Sequence, residues 1–565
     1  MTSNQTPTAA VPFELTRRRG NFILAATIMA TGLVYLDGTI VTVALPQIQK
    51  DFSASLSDLQ WLIDIYLLFL TVPILVAGSL SDRYGRRKLF AIGLAGFTVS
   101  SVVCGAASAF DQLILARVIQ GIAGAMMLPG SLAILNATFP PAERGKVVGT
   151  WAAFTPVATA MGPLLGGWLV DHVSWRAAFY INLPVGLLAL FLCLRYIPES
   201  KSEAIPESQD WLGAGLITLS LGGLIYAFIE GPNLGWADPL VWISIIVFLV
   251  CSIGFVLVEI RSKHPMVPFS LFKHRVFTGV TLMTLVLYFA MSGVFFFLTL
   301  NLQQVQEFSA TTAGAAFMPI IILLFLLSRW SGLFSDKYGP RLPLIVGPVV
   351  IAIGFFMYML PGAEANYWLT FLPATVVFGI GLGITTAPLT VVAMGAVPTH
   401  LSGLASGVSN AVSRVATILA VAILGAVMVL QFSASLRHHT ATLPLSPQNR
   451  VYLEEEALKM GGAQPPPGLS SELTHTISEA IDNAFVQGFS LMMGICGVLA
   501  LASAVISAMT ISNQITHHDE MIVPGLEAAL VAPLDPDDDG RDTPAPSGNS
   551  RGHYTPQEWY ESTHD

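Results

Sequence analysis

Gly78-Ser-Leu-Ser-Asp-Arg-Tyr-Gly-Arg-Arg-Lys88 decides the reading of this chain. It carries four of the 27 basic residues and lies between two long apolar stretches. A second copy stands 254 positions on: Gly332-Leu-Phe-Ser-Asp-Lys-Tyr-Gly-Pro-Arg341. Six of ten aligned positions are identical: Gly78/Gly332, Ser81/Ser335, Asp82/Asp336, Tyr84/Tyr338, Gly85/Gly339 and Arg87/Arg341. A seventh pair, Arg83/Lys337, keeps its charge. Two charged tight turns in the same apolar setting predict two related halves.

The 565 residues are 53% hydrophobic and 11% charged, against roughly 25% charged in soluble domains. Apolar runs of about 20 residues recur along the chain, each long enough to cross a ~30 Å hydrocarbon core as a helix. A soluble protein with many buried helices would need charged faces between those runs. No basic patch suits nucleic acid. Cys104, Cys193, Cys251 and Cys496 all fall inside apolar runs, which argues against disulfides and metal ligation. No metal site is expected, the histidines sit in loops and tails, and no nucleophile–base set suggests an enzyme.

Fourteen spans follow: 22–44, 58–79, 88–108, 112–137, 146–170, 176–196, 211–230, 239–259, 276–300, 311–334, 341–361, 367–390, 403–430 and 484–510. With the N-terminus inside, inner loops and tails hold 19 Lys and Arg, outer loops 5 and spans 3 of the 27. That bias sets the orientation with both termini in the cytoplasm. Both charged turns then fall on the inner side, each after the second helix of a six-helix set. The expected fold is all-α and polytopic, with two parallel six-helix bundles and an inserted helix pair. The divisions are 1–21 (N-terminus), 22–200 (first bundle), 201–275 (inserted pair and linkers), 276–510 (second bundle, with a long outer loop at 431–483) and 511–565 (a disordered, acidic tail).

These features resemble the major facilitator superfamily, and within it the fourteen-span drug:proton antiporters of the EmrB/QacA type. Gly78–Lys88 is similar to the signature after the second helix. Leu36-Asp-Gly-Thr-Ile-Val-Thr-Val-Ala-Leu-Pro46 resembles the first-helix motif, with Thr42 where Asn is usual. Leu115-Ala-Arg-Val-Ile-Gln-Gly121 resembles the fourth-helix motif, and Gly149 with Met161-Gly-Pro-Leu-Leu-Gly-Gly167 the fifth-helix antiporter motif. Ser174-Trp-Arg176, Ile181-Asn-Leu-Pro184, Gly379-Ile-Gly-Leu-Gly383 and Ala405-Ser-Gly407 also fit. The resemblance implies alternating access in a bacterial inner membrane. Hydrophobic or cationic drugs would leave as protons enter, without a cofactor. It ties proton coupling to the positions of Asp37 and Arg117.

A charge at the centre of a membrane helix costs at least ~2.5 kcal/mol, so each needs a reason. Counting about 1.5 Å per residue places Asp37, Asp64 and Arg117 in one layer of the first bundle. Two carboxylates beside one arginine can share a proton, as coupling requires. The structural alternative is an ion pair locking helices together. Arg414, near the midplane, suits a substrate contact or a cross-cavity pair. Arg329 is expected to snorkel to the inner surface or brace the second charged turn, and Glu230 and Glu259 to mark helix ends.

In the turns, Gly78, Asp82, Arg83, Gly85, Arg86, Arg87, Asp336 and Arg341 form the expected gate. Asp82 would accept from a helix N-terminus and the arginines would pair across the two halves. Gly145/Gly149 and Gly162/Gly166 would let helices approach closely, with Pro163 and Gly167 completing the antiporter motif. Tyr35, Tyr66, Met127, Phe154, Tyr226 and Arg414 are the candidate substrate contacts, in a wide apolar cavity whose embedded acids would suit lipophilic cations. The expected partners are that small hydrophobic substrate, protons and the lipid bilayer; the sequence leaves open a periplasmic adaptor. The alternatives are a dedicated exporter of one metabolite, lipid or antibiotic, or a transport-inactive membrane sensor or scaffold. No Gly-x-x-x-x-Gly-Lys-Ser/Thr motif is present, so a proton gradient is the expected energy source.

Overall fold

The computed structural model describes residues 16–201, 210–262, 265, 267, 269–397 and 402–511, all within one compact unit. Residues 1–15, the tail from 512 and the side chains of some helical residues, Arg329 and Asp336 among them, lie outside the described residues. The readings of a disordered tail and of roles for Arg329 and Asp336 therefore fall there.

The first half runs through α1 (Arg17–Phe52), α2 (Leu56–Thr71), α3 (Pro73–Tyr84), α4 (Arg86–Ala106), α5 (Phe110–Thr138), α6 (Pro141–His172), α7 (Ala177–Tyr180) and α8 (Asn182–Tyr196). The pair α9 (Trp211–Leu234) and α10 (Pro239–Arg261) follows. The second half comprises α11 (Arg275–Leu300), α12 (Ala310–Ala315), α13 (Met318–Tyr338), α14 (Arg341–Met357), α15 (Phe371–Gly395), α16 (Ser402–Thr440), α17 (Pro447–Glu456) and α18 (Ser471–Thr510). No strand occurs among the described residues. Helices cover all fourteen stretches read as spans. Eleven are long and apolar enough to cross a membrane, or twelve with a bent pair in the second span counted as one. The two remaining stretches carry α6 and the shorter α14. The bent pair turns by 46° where Pro73, lacking an N–H, starts a new helix after Val72.

The repeat seen in the charged turns recurs in how each half ties down its last helix. Arg19 Nε donates to Tyr196 O (3.1 Å) and Arg87 Nη1 to Ile197 O (3.4 Å), at the end of α8. Arg275 donates to Met509 O (3.0 Å) and Arg341 to Ala508 O (2.9 Å), at the end of α18. The last carbonyls of a helix lack intrahelical partners and attract cations. In each half one arginine comes from the start of the first helix and one from the charged turn.

The inserted pair flanks the junction of the halves. α9 packs on α2 and α16, and α10 exposes Trp242, Ile246, Val250 and Ile253 outward. Glu230 does more than mark a helix end: Trp61 Nε1 donates to it (2.8 Å), tying α9 to α2.

Helices α16 and α18 span 39 and 40 residues, roughly 60 Å each, and so project beyond the bundle at the end away from the charged turns. The long loop expected at 431–483 is thus largely helical. Between the projections, α17 and a 3-10 turn (Ala457–Gly462) fold down as a cap. Leu453, Ala457 and Met460 are buried there beside Phe432 and Phe485. Burying each Leu or Met side chain contributes about 1.5–3 kcal/mol, enough to hold so short a segment in place.

Candidate functional site

The halves meet differently at the two ends. At the cap end the junction is closed by direct contacts. Gln303 Nε2 donates to Val43 O (3.1 Å), Gln304 to Gln49 (2.6 Å) and Gln49 to Lys459 O of the cap (3.2 Å). Asp171, ending α6, accepts from the amides of Ala310 (3.0 Å) and Thr311 (2.7 Å) at the start of α12. Burial works to raise this carboxyl, but hydrogen bonds from Thr311, Ser309 and Ala310 outweigh it and hold it below its ordinary range.

Glycines make that approach possible. A Cβ on Gly162 would stand 1.9 Å from Thr39 Oγ1, and one on Gly166 2.6 Å from Ile40 Cγ1, so α6 lies directly on α1. A Cβ on Gly167 would meet Ala310 O at 2.3 Å, and one on Gly314 would meet Pro163 O at 2.1 Å, so α6 also touches α12 across the halves. The antiporter stretch is therefore a cross-half contact, and α6 continues through Pro163. Gly149 differs from expectation: nothing lies within 4 Å of its added Cβ.

At the other end a cavity of about 770 Å³ separates the halves. Asp82, Arg86, Arg144 and Gly407 line it near the charged turn, and Tyr35, Leu128 and Arg414 deeper in. The structure is thus shut at the cap and open at the charged turn.

The charged turn does not bridge the halves here. Asp82 pairs with Arg86 one turn away (2.8 Å) rather than with a helix N-terminus. Glu199, beyond α8, takes that role and accepts from the amides of Arg87 (3.0 Å) and Lys88 (3.2 Å) at the start of α4. Gly85 has φ 116° and its Cβ would fall 2.7 Å from Glu199 Oε1, so only glycine fits. Arg83 is exposed over its neighbour Tyr84, and Gly78 leaves a Cβ 3.7 Å from Pro129. No described residue of the second half pairs with these arginines. A latch between halves would be broken in a state open on this side.

Within the first bundle, Asp37 and Arg117 are both 0% exposed and form an ion pair. Gln120 (2.9 Å) and Asn182 (3.1 Å) also donate to Asp37 Oδ1, and Asn182 donates to Ser101 (2.9 Å). Arg117 donates to Gln120 (2.9 Å) and Leu62 O (3.3 Å), and lies 3.9 Å over the Tyr66 ring. Gln120 and Asn182 lie within the quoted Leu115–Gly121 and Ile181–Pro184 stretches but carry no assigned role there, and Ser101, an uncharged polar residue within a span, has no motif to mark it.

Asp64 is not part of this network. It is fully buried, and neither oxygen has a hydrogen-bond partner among the described residues. On α2 it shares a face with Gln60 and Leu68, one turn to either side. Gln60 donates to Val421 O of α16, and Leu68 clusters with Ile418. Asp64 therefore faces the second half, while Tyr66 faces Arg117. Burying an unpaired carboxylate costs several kcal/mol, a penalty that a neutral acid at this position would avoid. The expected sharing of a proton between two carboxylates beside Arg117 is not what the geometry provides.

Of the six substrate candidates, Tyr35 and Arg414 line the cavity and touch across it, Arg414 Nη2 donating to Tyr35 Oη at 3.3 Å. Tyr66 and Met127 are buried in the first bundle. Tyr226 packs on Trp61, and Phe154, 50% exposed, is not among the lining residues.

A model of the family described as the Major Facilitator Superfamily matches residues 27–421. The chain is 32% identical over 489 residues to the "Tetracenomycin C resistance and export protein" of Streptomyces glaucescens, covering 86% of this chain and 91% of that protein. It is 35% identical over 437 residues to the "Multidrug resistance protein Stp" of Mycobacterium tuberculosis, covering 76% and 80%. Among solved structures it is similar to a bacterial homologue of the human lysosomal transporter Spinster. The TM-score is 0.61 at 20% identity over 88% of this chain and 98% of that one, a likeness of fold.

Proposed function

The chain belongs to the Major Facilitator Superfamily, and from that premise we propose that it is a proton-coupled antiporter exporting hydrophobic compounds from a bacterial cell. Its relatives carry the names of resistance and export proteins. In this reading it has fourteen spans of the EmrB/QacA type in the inner membrane. The charged turns and both termini lie in the cytoplasm, and the cap faces outward. A proton gradient, rather than a nucleotide, drives the cycle.

The observation that carries the reading is Asp64, a buried carboxyl without a hydrogen-bond partner among the described residues, on the face of α2 that meets α16. When the halves separate on the cap side, this face is the one exposed. Asp64 would then load a proton outside and release it inside. The Asp37–Arg117 pair supports the same cycle from within the bundle, holding α1, α5 and α8 together.

The test is proton flux in proteoliposomes loaded with pyranine, with neutral, cationic and anionic hydrophobic dyes supplied in turn. At least one dye is expected to evoke wild-type proton flux that Asp64→Asn abolishes. Dye efflux with no proton flux would sink the coupling, and no dye-dependent flux of either kind would favour a sensor or scaffold.

A further inference from the structure

The acids expected to face lipophilic cations do not line the cavity. Asp37 is enclosed with Arg117, and Asp64 is buried against α16. The charged side chains lining the cavity, among the described residues, are Asp82, Arg86, Arg144 and Arg414. Asp82 is tied to Arg86 (2.8 Å). Two positive charges remain. Arg144 stands at the mouth, its Nε donating to Phe139 O (2.9 Å). Arg414 lies twelve residues into α16 from Ser402, roughly 18 Å deeper.

Arg414 forms no ion pair with a described carboxylate. Its hydrogen-bond partner among the described residues is neutral: the Tyr35 hydroxyl accepts at 3.3 Å, and the ring centroid lies 5.6 Å from the guanidinium carbon. Tyr35 is on α1 and Arg414 on α16, so the pair joins the two halves. A guanidinium has five donors in a planar fork. One N–H directed to a phenol leaves the rest of that fork for an acceptor in a cavity lined by apolar Leu128, Leu132 and Trp151, with Asn136 and Asn410 among its uncharged polar side chains. A partly desolvated cation at the end of an apolar chamber is matched by a compound with an apolar aromatic body and an acidic group at one end. Arg144 at the mouth raises the local concentration of such anions.

We propose that the central cavity selects amphiphilic anions, whose carboxylate, sulfonate or phenolate binds Arg414 while the aromatic body lies along the apolar wall. This names the substrate class within the export reading above and rests on it for transport, though not for binding. Export of an anion moves negative charge outward, so an interior-negative potential assists the cycle in addition to the proton gradient.

The test uses two probes with the same ring and opposite fixed charge: pyrene-1-sulfonate and (pyren-1-ylmethyl)trimethylammonium. Binding is measured by equilibrium dialysis on the full chain in zwitterionic nanodiscs, with empty nanodiscs subtracted. The wild type is expected to bind the sulfonate at least tenfold more tightly, and Arg414→Gln to abolish that preference. If Arg414→Gln does not fold, Arg414→Lys serves: it keeps the charge but loses the fork, and should weaken sulfonate binding at least threefold. Equal binding of both probes, tighter binding of the cation, or a preference that survives Arg414→Gln overturns the proposal. Efflux from proteoliposomes is read separately. A sulfonate preference without efflux sinks the export reading and leaves this site standing; gradient-driven efflux of the cation alone does the reverse.

Discussion

Asp37 and Arg117 pair at zero solvent exposure, with Asn182 from a third helix donating to the same carboxylate at 3.1 Å. Three helices thus close on one buried charge pair. Removing one partner of such a pair costs about 3–5 kcal/mol, because the other charge is left buried and uncompensated. Asp37→Asn is therefore expected to lower the unfolding temperature in nanodiscs markedly, as well as to abolish gradient-driven efflux. The double variant Asp37→Leu with Arg117→Met should recover much of the thermal stability but no transport. Wild-type stability in Asp37→Asn alone would refute the structural part.

Asp64 should behave in the opposite way. Its carboxyl is buried with no hydrogen-bond partner among the described residues, so neutral Asn closely replaces a protonated form. Asp64→Asn is expected to stay within about 0.5 kcal/mol of wild type in stability, the range of substitutions that break no paired group, while coupled proton flux falls to background. A large loss of stability would mean that Asp64 is ionised and held by a partner.

The glycines of the cross-half contact set the conformational balance. Gly314→Ala puts a methyl 2.1 Å from Pro163 O and Gly167→Ala one 2.3 Å from Ala310 O. Both atoms are backbone, so the helices must separate. Each variant is expected to favour the state open at the cap end. Spin labels at the exposed positions Val173 and Leu369, read by double electron–electron resonance, should show a longer distance population absent or minor in wild type. An unchanged distribution would place the closing force elsewhere, with Gln303 and the cap.

One carboxyl at the cap end carries a pH dependence. Burial, with Glu307 and Glu479 nearby, pushes Asp482 up to about 6 from 3.8. The folded state thus prefers the protonated acid. Stability is lowest above pH 6, rises as pH falls through 6, and stops rising near the unfolded value of about 4. The group is partly exposed, so screening reduces the effect to about 1 kcal/mol. Between pH 7.5 and 5 the wild type is expected to gain about 1–2 °C in Tm relative to Asp482→Asn. Parallel pH profiles for the two proteins would contradict this.

Much of the architecture was legible before any coordinates. Apolar runs and the repeated charged turn predict helices and two halves, because lipid forces every span to satisfy its own backbone. Depth placed the first-helix Asp, Asp64 and the fourth-helix Arg in one layer, and only the family resemblance linked the first and the last. Counting residues from a helix end gives depth, but it does not give the direction a side chain faces. Asp64 has nearly the depth of Arg117, yet the phase of α2 turns it to α16 while Tyr66, two residues on, meets Arg117. The same ambiguity put Met127 and Tyr226 among the substrate contacts. Glu199, an ordinary acid at the end of a linker, gave no sign that it caps α4 from over a hundred residues away.

By itself, then, the sequence determined an all-helical membrane protein of two repeated halves with a buried Asp37–Arg117 pair to accommodate. These follow from composition, periodicity and the cost of charge in lipid, which are properties of segments. Only the tertiary structure decided that the cap end is shut and the charged-turn end open, that Asp64 faces the other half, and that Arg414 rather than an acid confronts the cavity. Those depend on helix rotation and on which backbones touch, as at Gly167 and Ala310. Contacts between distant segments are set by packing that no local pattern encodes.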